Sequence, residues 1–276
     1  MILNYIIWNP NPEIFELAIP GIGIIAPRWY GLLFAMGFVV GYIIMLKIFK
    51  KERMPVRVLD QLATYMIIAT IIGARLGHVL FYEPAAYLKN PIEILMVWKG
   101  GLASHGAGIA IIIALLIFSK KNHKPFIWIF DRIAIVVALA GAFIRTGNLL
   151  NSEIYGVETS LPWGFKFVST DPSLLPKHPT QIYEALAYFG IFLLLWLVYL
   201  KRNGRPRPGF LSAMFFILVF TFRFFIEFLK EPQVNFEVGM ALNMGQLLSI
   251  PFVLFGVGIL IYIYRKKNKG KAAKAA

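Results

Sequence analysis

Seven apolar stretches, each close to the ~20 residues that an α-helix needs to cross a hydrocarbon core, take up most of the chain. They run roughly from 29 to 49, 59 to 81, 101 to 118, 126 to 147, 180 to 200, 209 to 229 and 241 to 264. Lipid offers no partner to backbone N–H and C=O groups, so stretches of this length read as transmembrane helices. The expected fold class is therefore all-α, a polytopic integral membrane protein with seven transmembrane helices. With 58% hydrophobic and 15% charged residues, nothing is left over for a soluble domain, and residues 1–276 read as a single integral membrane domain.

The formal charge of +14 could suggest nucleic acid, but the placement of the basic residues argues against it. They fall in alternate connections: Lys47, Lys50, Lys51, Arg53 and Arg57; then Lys120, Lys121 and Lys124; then Lys201, Arg202, Arg205 and Arg207; then the tail from Arg265. By the positive-inside rule the carboxyl terminus is cytoplasmic and the amino terminus lies outside. The segments 1–27 and 152–179 are then outer-side segments, and 265–276 is a basic, solvated tail against the anionic inner surface. Ile19 to Pro27, "IPGIGIIAP", is too short to span and suits an interfacial or strand-like segment. The first run lacks a basic start and a small-residue cleavage site, so it is expected to stay in the chain. The chain has no cysteine, which excludes disulfides, thiolate metal sites and a cysteine nucleophile of its own.

This topology assigns a depth to the polar residues inside the runs, and they gather toward one side. Tyr30, Arg75, His78, His105, Arg145, Asn148, His178, Gln181, Glu184, Arg223, Glu227 and Lys230 all fall on the outer side. Charge in a bilayer is costly, so these groups imply a polar chamber open toward the outer leaflet. Arg75 reads equally well as a structural residue. Arginine presents a planar fork of donors suited to phosphate, and an outer-leaflet phospholipid carries phosphate at that depth.

In "IRTGNLLNSE" (144–153), Asn148 and Asn151 offer amides to glycerol hydroxyls or ester carbonyls, and Gly147 allows close approach or a helix break. In "GGLASHGAG" (100–108) the glycines are expected to loosen a helix start, and His105 is the best general-base candidate. The four histidines have no metal-ligand spacing, and neither a metal nor another cofactor is implied. Glu184 and Glu227 are expected to orient the arginines. A lipid transporter would use a similar cavity, but it predicts polar residues across the whole thickness, whereas the inner halves are largely apolar.

The ordered set "RWYGLLFAMGF", "GARLGHVLFYEP", "WKGGLASHGAG", "RTGNLLNSEIYG", "HPTQIYEAL", "FRFFIEFLKEP" and "NMGQLLSIP" resembles the bacterial prolipoprotein diacylglyceryl transferases over nearly all of the chain from Arg28. The resemblance implies transfer of the diacylglyceryl group of phosphatidylglycerol to the lipobox cysteine of a prolipoprotein signal peptide, with glycerol phosphate released. It implies an inner-membrane enzyme whose site faces the outer leaflet. It also accounts for the absent cysteine, because the acceptor brings the thiol.

Carried over by motif, the resemblance makes His105, Arg145 and Arg223 catalytic. Tyr30, Asn148, Asn151, Glu153 and Gly156, with both arginines, become substrate-binding; His178, Gln181, Glu184, Glu227 and Gln246 become supporting residues. The chain departs from the family pattern at Ile144, Ala107, Lys230 and Val219, the last being a position where some members carry a tyrosine.

Overall fold

The computed structural model describes residues 5–19, 23–232, 237 and 239–275. Strands β1 (Ile6–Trp8), β2 (Leu17–Ile19) and β3 (Gly23–Ile25) precede α1 (Trp29–Lys51) and α2 (Val56–Phe81). A short α3 (Pro84–Lys89) and two 3-10 turns lead into α4 (Ser104–Lys121) and α5 (Phe126–Leu150). Then come β4 (Phe165–Phe167), α6 (Thr180–Lys201), α7 (Phe210–Ile226) with a closing 3-10 turn Glu227–Leu229, and α8 (Met244–Ala275). Among the described residues seven helices are long and apolar enough to cross a membrane: α1, α2, α4, α5, α6, α8, and α7 together with its closing turn, as the hydrophobic lengths require. Pro55 and Pro179 stand at the N-caps of α2 and α6, where a missing N–H costs nothing.

The strands are only three residues each and leave the all-α reading intact. β2 and β3 pair antiparallel, so the strand-like reading of the stretch after Ile19 holds for its described residues. α8 continues through the basic tail as far as Ala275. Pro251 lies inside α8, as membrane helices tolerate.

The chain forms two compact units, Met1–Gly41 with Ile133–Ala276, and Tyr42–Arg132. In the second unit α2 packs on α4 through small residues. Gly73 and Gly77 are four apart on α2, and a Cβ on Gly77 would lie 2.7 Å from the Cα of Gly106. This is the close helix approach that small residues allow in lipid, where packing rather than hydrophobicity drives association. The glycines of 100–108 therefore do not all loosen the start of α4: Gly106 is buried in a backbone-to-backbone contact, whereas Gly108 faces open space.

Arg75 is a clasp. Its guanidinium donates to the carbonyls of Ile94 (2.9 Å), Gly100 (2.6 Å), Gly101 (3.2 Å) and Glu93, and lies 4.8 Å from the ring centre of Tyr87. It ties the connection between α2 and α4 to α2. Arg75→Met strands several carbonyls, so amide exchange across residues 91–101 is expected to speed up by at least ~10-fold while α2 itself stays protected. Farther along the same unit, Arg132 grips both oxygens of Glu52 (2.9 and 3.1 Å), and Trp128 Nε1 donates to the same carboxylate at 3.0 Å.

In the first unit α7 packs against both α6 and α8. The segment 152–179 folds over its own small core of Phe165 and Phe167, joined by Leu149, Trp8, Tyr155 and Ile182. β1 adds to it in parallel, pairing Ile6 with Phe165 and Trp8 with Phe167, and Trp8 Nε1 donates to the Leu149 carbonyl at 2.9 Å. Lys177 is held inside by Glu231 (2.5 Å), Asp171 (3.8 Å) and Glu158 (3.9 Å). Burial alone would pull its pKa down, but the three carboxylates outweigh this and raise it above the usual lysine value.

Candidate functional site

The stretch at the end of α5 closes that helix with a Schellman motif. Ser152 takes a left-handed conformation (φ 54°) and donates its N–H to Leu149 O at 2.9 Å, while Glu153 N–H reaches Asn148 O at 3.0 Å. The turn folds the Glu153 side chain back over the helix end. Its Oε1 accepts from Asn148 Nδ2 (2.7 Å) and Asn151 Nδ2 (3.3 Å), and its carbonyl accepts from Gln181 Nε2 (2.7 Å). The amide donors expected to meet lipid are thus committed to Glu153. Asn148 turns its oxygen to Arg145 Nη1 at 3.4 Å and so orients the guanidinium. Gly147 does not break the helix; it admits Tyr30, whose ring Cδ2 would lie 2.8 Å from a Cβ there.

Arg145 leads into a chain of buried charges. Its Nη2 lies 3.1 Å from Glu184 Oε1, and the Nζ of Lys230 reaches the same oxygen at 3.1 Å. Lys230 bridges onward to Glu227 Oε1, also at 3.1 Å, and Arg223 Nε lies 3.8 Å from that oxygen. The Tyr188 hydroxyl donates to Glu184 Oε1 at 3.4 Å. Glu184 is fully buried, and the side chains of Lys230 and Arg145 are 2% and 12% exposed; that of Arg223 is 36% exposed. Within these ion pairs three cations face two carboxylates, and the Glu153 carboxylate, reached from Arg145 through Asn148, balances the third charge. Glu184 and Glu227 are both paired, as low dielectric demands, and the guanidinium donors of Arg145 and Arg223 suit a phosphate.

The start of α8 braces this cluster. Asn243 and Gln246 form a capping box: Gln246 N–H donates to Asn243 Oδ1 at 2.9 Å, and Asn243 N–H to Gln246 Oε1 at 2.9 Å. Asn243 Nδ2 then donates to Glu227 Oε2 at 3.1 Å. Gln246 therefore supports the site as a helix cap. Gly156 forms a bridge with Lys230 and donates its N–H to His178 O at 2.8 Å. A Cβ there would strike the Leu229 carbonyl, so Gly156 is needed for close approach. His178 Nδ1 lies 3.4 Å from the Tyr183 hydroxyl, and burial pushes its pKa below the ordinary imidazole value.

Arg145, Asn148, Asn151, Glu153, Gln181, Glu184, Arg223, Glu227 and Gln246 thus fall into one network of hydrogen bonds and ion pairs, with Tyr30 and Gly156 packed against its neighbours. His105 belongs to the other compact unit, where it is exposed beside Phe81 (ring centres 5.2 Å apart) and Tyr82 (5.8 Å). Tyr188 and Asn243 were not foreseen as site residues, and Lys230 was placed on the outer side without a role in the site. Only Asn243 carries a local signal, the Asn-x-x-Gln capping pattern.

A family model described as prolipoprotein diacylglyceryl transferase matches residues 18–262. A phosphatidylglycerol–prolipoprotein diacylglyceryl transferase of Tolumonas auensis is 45% identical over 263 residues, covering 95% of this chain and 99% of its own. Relatives bearing the same description from Porphyromonas gingivalis (45% over 271 residues, 93% and 94% covered) and Chloroherpeton thalassium (43% over 260 residues, 94% and 94%) match similarly. With the membrane helices and the buried guanidinium–carboxylate network already in place, a match running through every one of those elements settles the lineage: the chain belongs to the prolipoprotein diacylglyceryl transferase family.

Proposed function

We propose that the protein transfers the diacylglyceryl group of phosphatidylglycerol to the lipobox cysteine thiol of prolipoproteins, releasing glycerol phosphate. The observation that carries this reading is the Arg145–Glu184–Lys230–Glu227–Arg223 chain of ion pairs, which sets two guanidinium groups suited to phosphate among largely buried partners, in a chain of this family. The phosphate of the donor would sit on the arginines. The acceptor thiolate attacks the glycerol carbon that bears the phosphate; the C–S bond forms, the C–O bond breaks, and the electron pair leaves on the phosphate ester. Arg145 and Arg223 stabilise that departing charge. His105 takes the thiol proton, directly or through water. Tyr30, Asn148, Asn151, Glu153 and Gly156 shape the donor site, with His178, Gln181, Glu184, Glu227 and Gln246 in support.

The setting follows the same reading. The protein sits in the bacterial inner membrane with the amino terminus outside, the carboxyl terminus in the cytoplasm and the site toward the outer leaflet. The whole chain acts as one transferase domain, and the bilayer delivers the donor. The transporter reading finds no support in the family match.

The test is the mass of a lipobox peptide after incubation with the purified protein in phosphatidylglycerol vesicles. A diacylglyceryl adduct is expected with phosphatidylglycerol and none in vesicles of phosphatidylcholine alone; unchanged peptide mass in both overturns the reading. His105→Gln is expected to slow transfer by about 10²- to 10⁴-fold near pH 7. A free thiol ionises near pH ~8.5, so that deficit should shrink as pH rises toward 9, whereas a deficit constant with pH would deny His105 the role of base.

A further inference from the structure

We infer that Glu184 is a specificity-determining residue whose free carboxylate oxygen, Oε2, accepts a hydrogen bond from a hydroxyl of the donor lipid's headgroup. The inference rests on the transferase reading and extends it to how the donor is chosen. Glu184 uses its two oxygens very unequally. Oε1 receives Arg145, Lys230 and Tyr188, whereas Oε2 is buried and has no hydrogen-bond partner. A buried acceptor without a donor is costly, and an ionised one more so, so a bound group that supplies a donor there would be favoured.

The neighbours show the same deficit. Gln181, one helical turn earlier on α6, keeps Oε1 buried and unpartnered, and so does Asn151 with Oδ1. All three keep a buried acceptor oxygen that no donor reaches. The side chain of Arg145 supplies donors for a phosphate, but a phosphate has no hydrogens to give Glu184. A ligand complementary to both must carry an anion next to hydroxyl donors, which is the chemistry of a polyol phosphate. An ammonium headgroup would also donate, yet Arg145 and Lys230 both lie 3.1 Å from the other oxygen of the same carboxylate and repel it. A neutral hydroxyl meets no such opposition. Placement agrees as well, because a phosphate on the Arg145 guanidinium brings its attached headgroup beside the carboxylate that pairs with that guanidinium.

The decisive comparison is phosphatidylglycerol against phosphatidylpropanol, which keeps the three-carbon headgroup and the phosphate but has no hydroxyls. Wild-type protein should prefer phosphatidylglycerol by about 10- to 100-fold in kcat/KM, the usual penalty when a site built for a hydroxyl meets its absence. Glu184→Gln should be slower with both lipids and lose most of that preference. Use of the two lipids within about twofold by wild type overturns the inference while leaving the transferase reading standing, and an undiminished preference in Glu184→Gln also overturns it. If neither lipid gives an adduct, the transferase reading fails separately. Competitive binding of glycerol phosphate against propyl phosphate to the purified protein then decides the matter: tighter glycerol phosphate supports the inference, and equal binding overturns it.

Discussion

Arg145→Ala is expected to lower kcat/KM for diacylglyceryl transfer by about 10²- to 10⁴-fold, the loss of two charge-assisted hydrogen bonds that act on the phosphate as it departs. The side chain is nearly buried, and its position is over-determined by Glu184 at 3.1 Å and Asn148 at 3.4 Å. No neighbour can swing into its place, because Lys230 already bridges two carboxylates. Arg145→Lys keeps the charge but not the planar fork, so it should recover at most a small part of the rate. Arg223→Ala offers a contrast. With its side chain 36% exposed and 3.8 Å from Glu227, it should cost activity with little loss of stability, whereas Arg145→Ala should cost both. Steady-state transfer rates with a lipobox peptide, paired with thermal unfolding in detergent, separate the two effects. An Arg145→Ala protein retaining more than about a tenth of wild-type activity would remove Arg145 from the centre of the account.

Gly106→Val should prevent stable accumulation of the protein, and Gly106→Ala should lower its thermal stability by about 2 kcal/mol or more, at the upper end of overpacking costs. A Cβ on Gly106 would sit against the Gly73 carbonyl oxygen, 2.6 Å from Gly77 Cα and 3.0 Å from Gly77 N. These are backbone atoms and cannot turn aside, so α2 and α4 must separate. Separation gives up the packing that holds the pair together in lipid. Gly108→Ala is the control: nothing lies within 4 Å of a Cβ there, and alanine is the better helix former, so it should be neutral or slightly stabilising. Equal thermal stability of the two alanine variants would contradict the close-approach explanation.

The spans were legible because crossing a hydrocarbon core imposes a length that composition displays directly; α6, foreseen from 180 to 200, runs from Thr180 to Lys201. Arg145, Glu184, Arg223 and Glu227 stood out for the same reason, as costly groups in apolar runs. The strand-like stretch after Ile19 was anticipated, but β1 and β4 did not show, since three residues are too few for an alternation to register and their pairing, Ile6 with Phe165 for example, joins distant segments. Lys230 was legible as a charge but not as a hub, because its two partners lie 46 and 3 residues away and only the packing of α6 against α7 brings them together. Two local signals were present and overlooked. The Gly-x-x-x-Gly of residues 73–77 announces a close helix contact, and Asn243 to Gln246 announces a helix start. Arg75 was ambiguous in sequence because a membrane arginine serves lipid phosphate and backbone carbonyls equally well; its carbonyl partners decide for the structural role.

The most direct test of the transfer chemistry follows the fate of an isotopic label in the headgroup glycerol of phosphatidylglycerol. The protein is incubated with that lipid and with either a cysteine lipobox peptide or its Cys→Ser counterpart, and both peptide and soluble products are weighed. The cysteine peptide should gain an unlabelled diacylglyceryl group while all released label appears as glycerol phosphate in equal amount, and the serine peptide should be unchanged. Label retained on the peptide, or bound lipid with no adduct on a folded protein, would contradict displacement of the phosphate by the thiol.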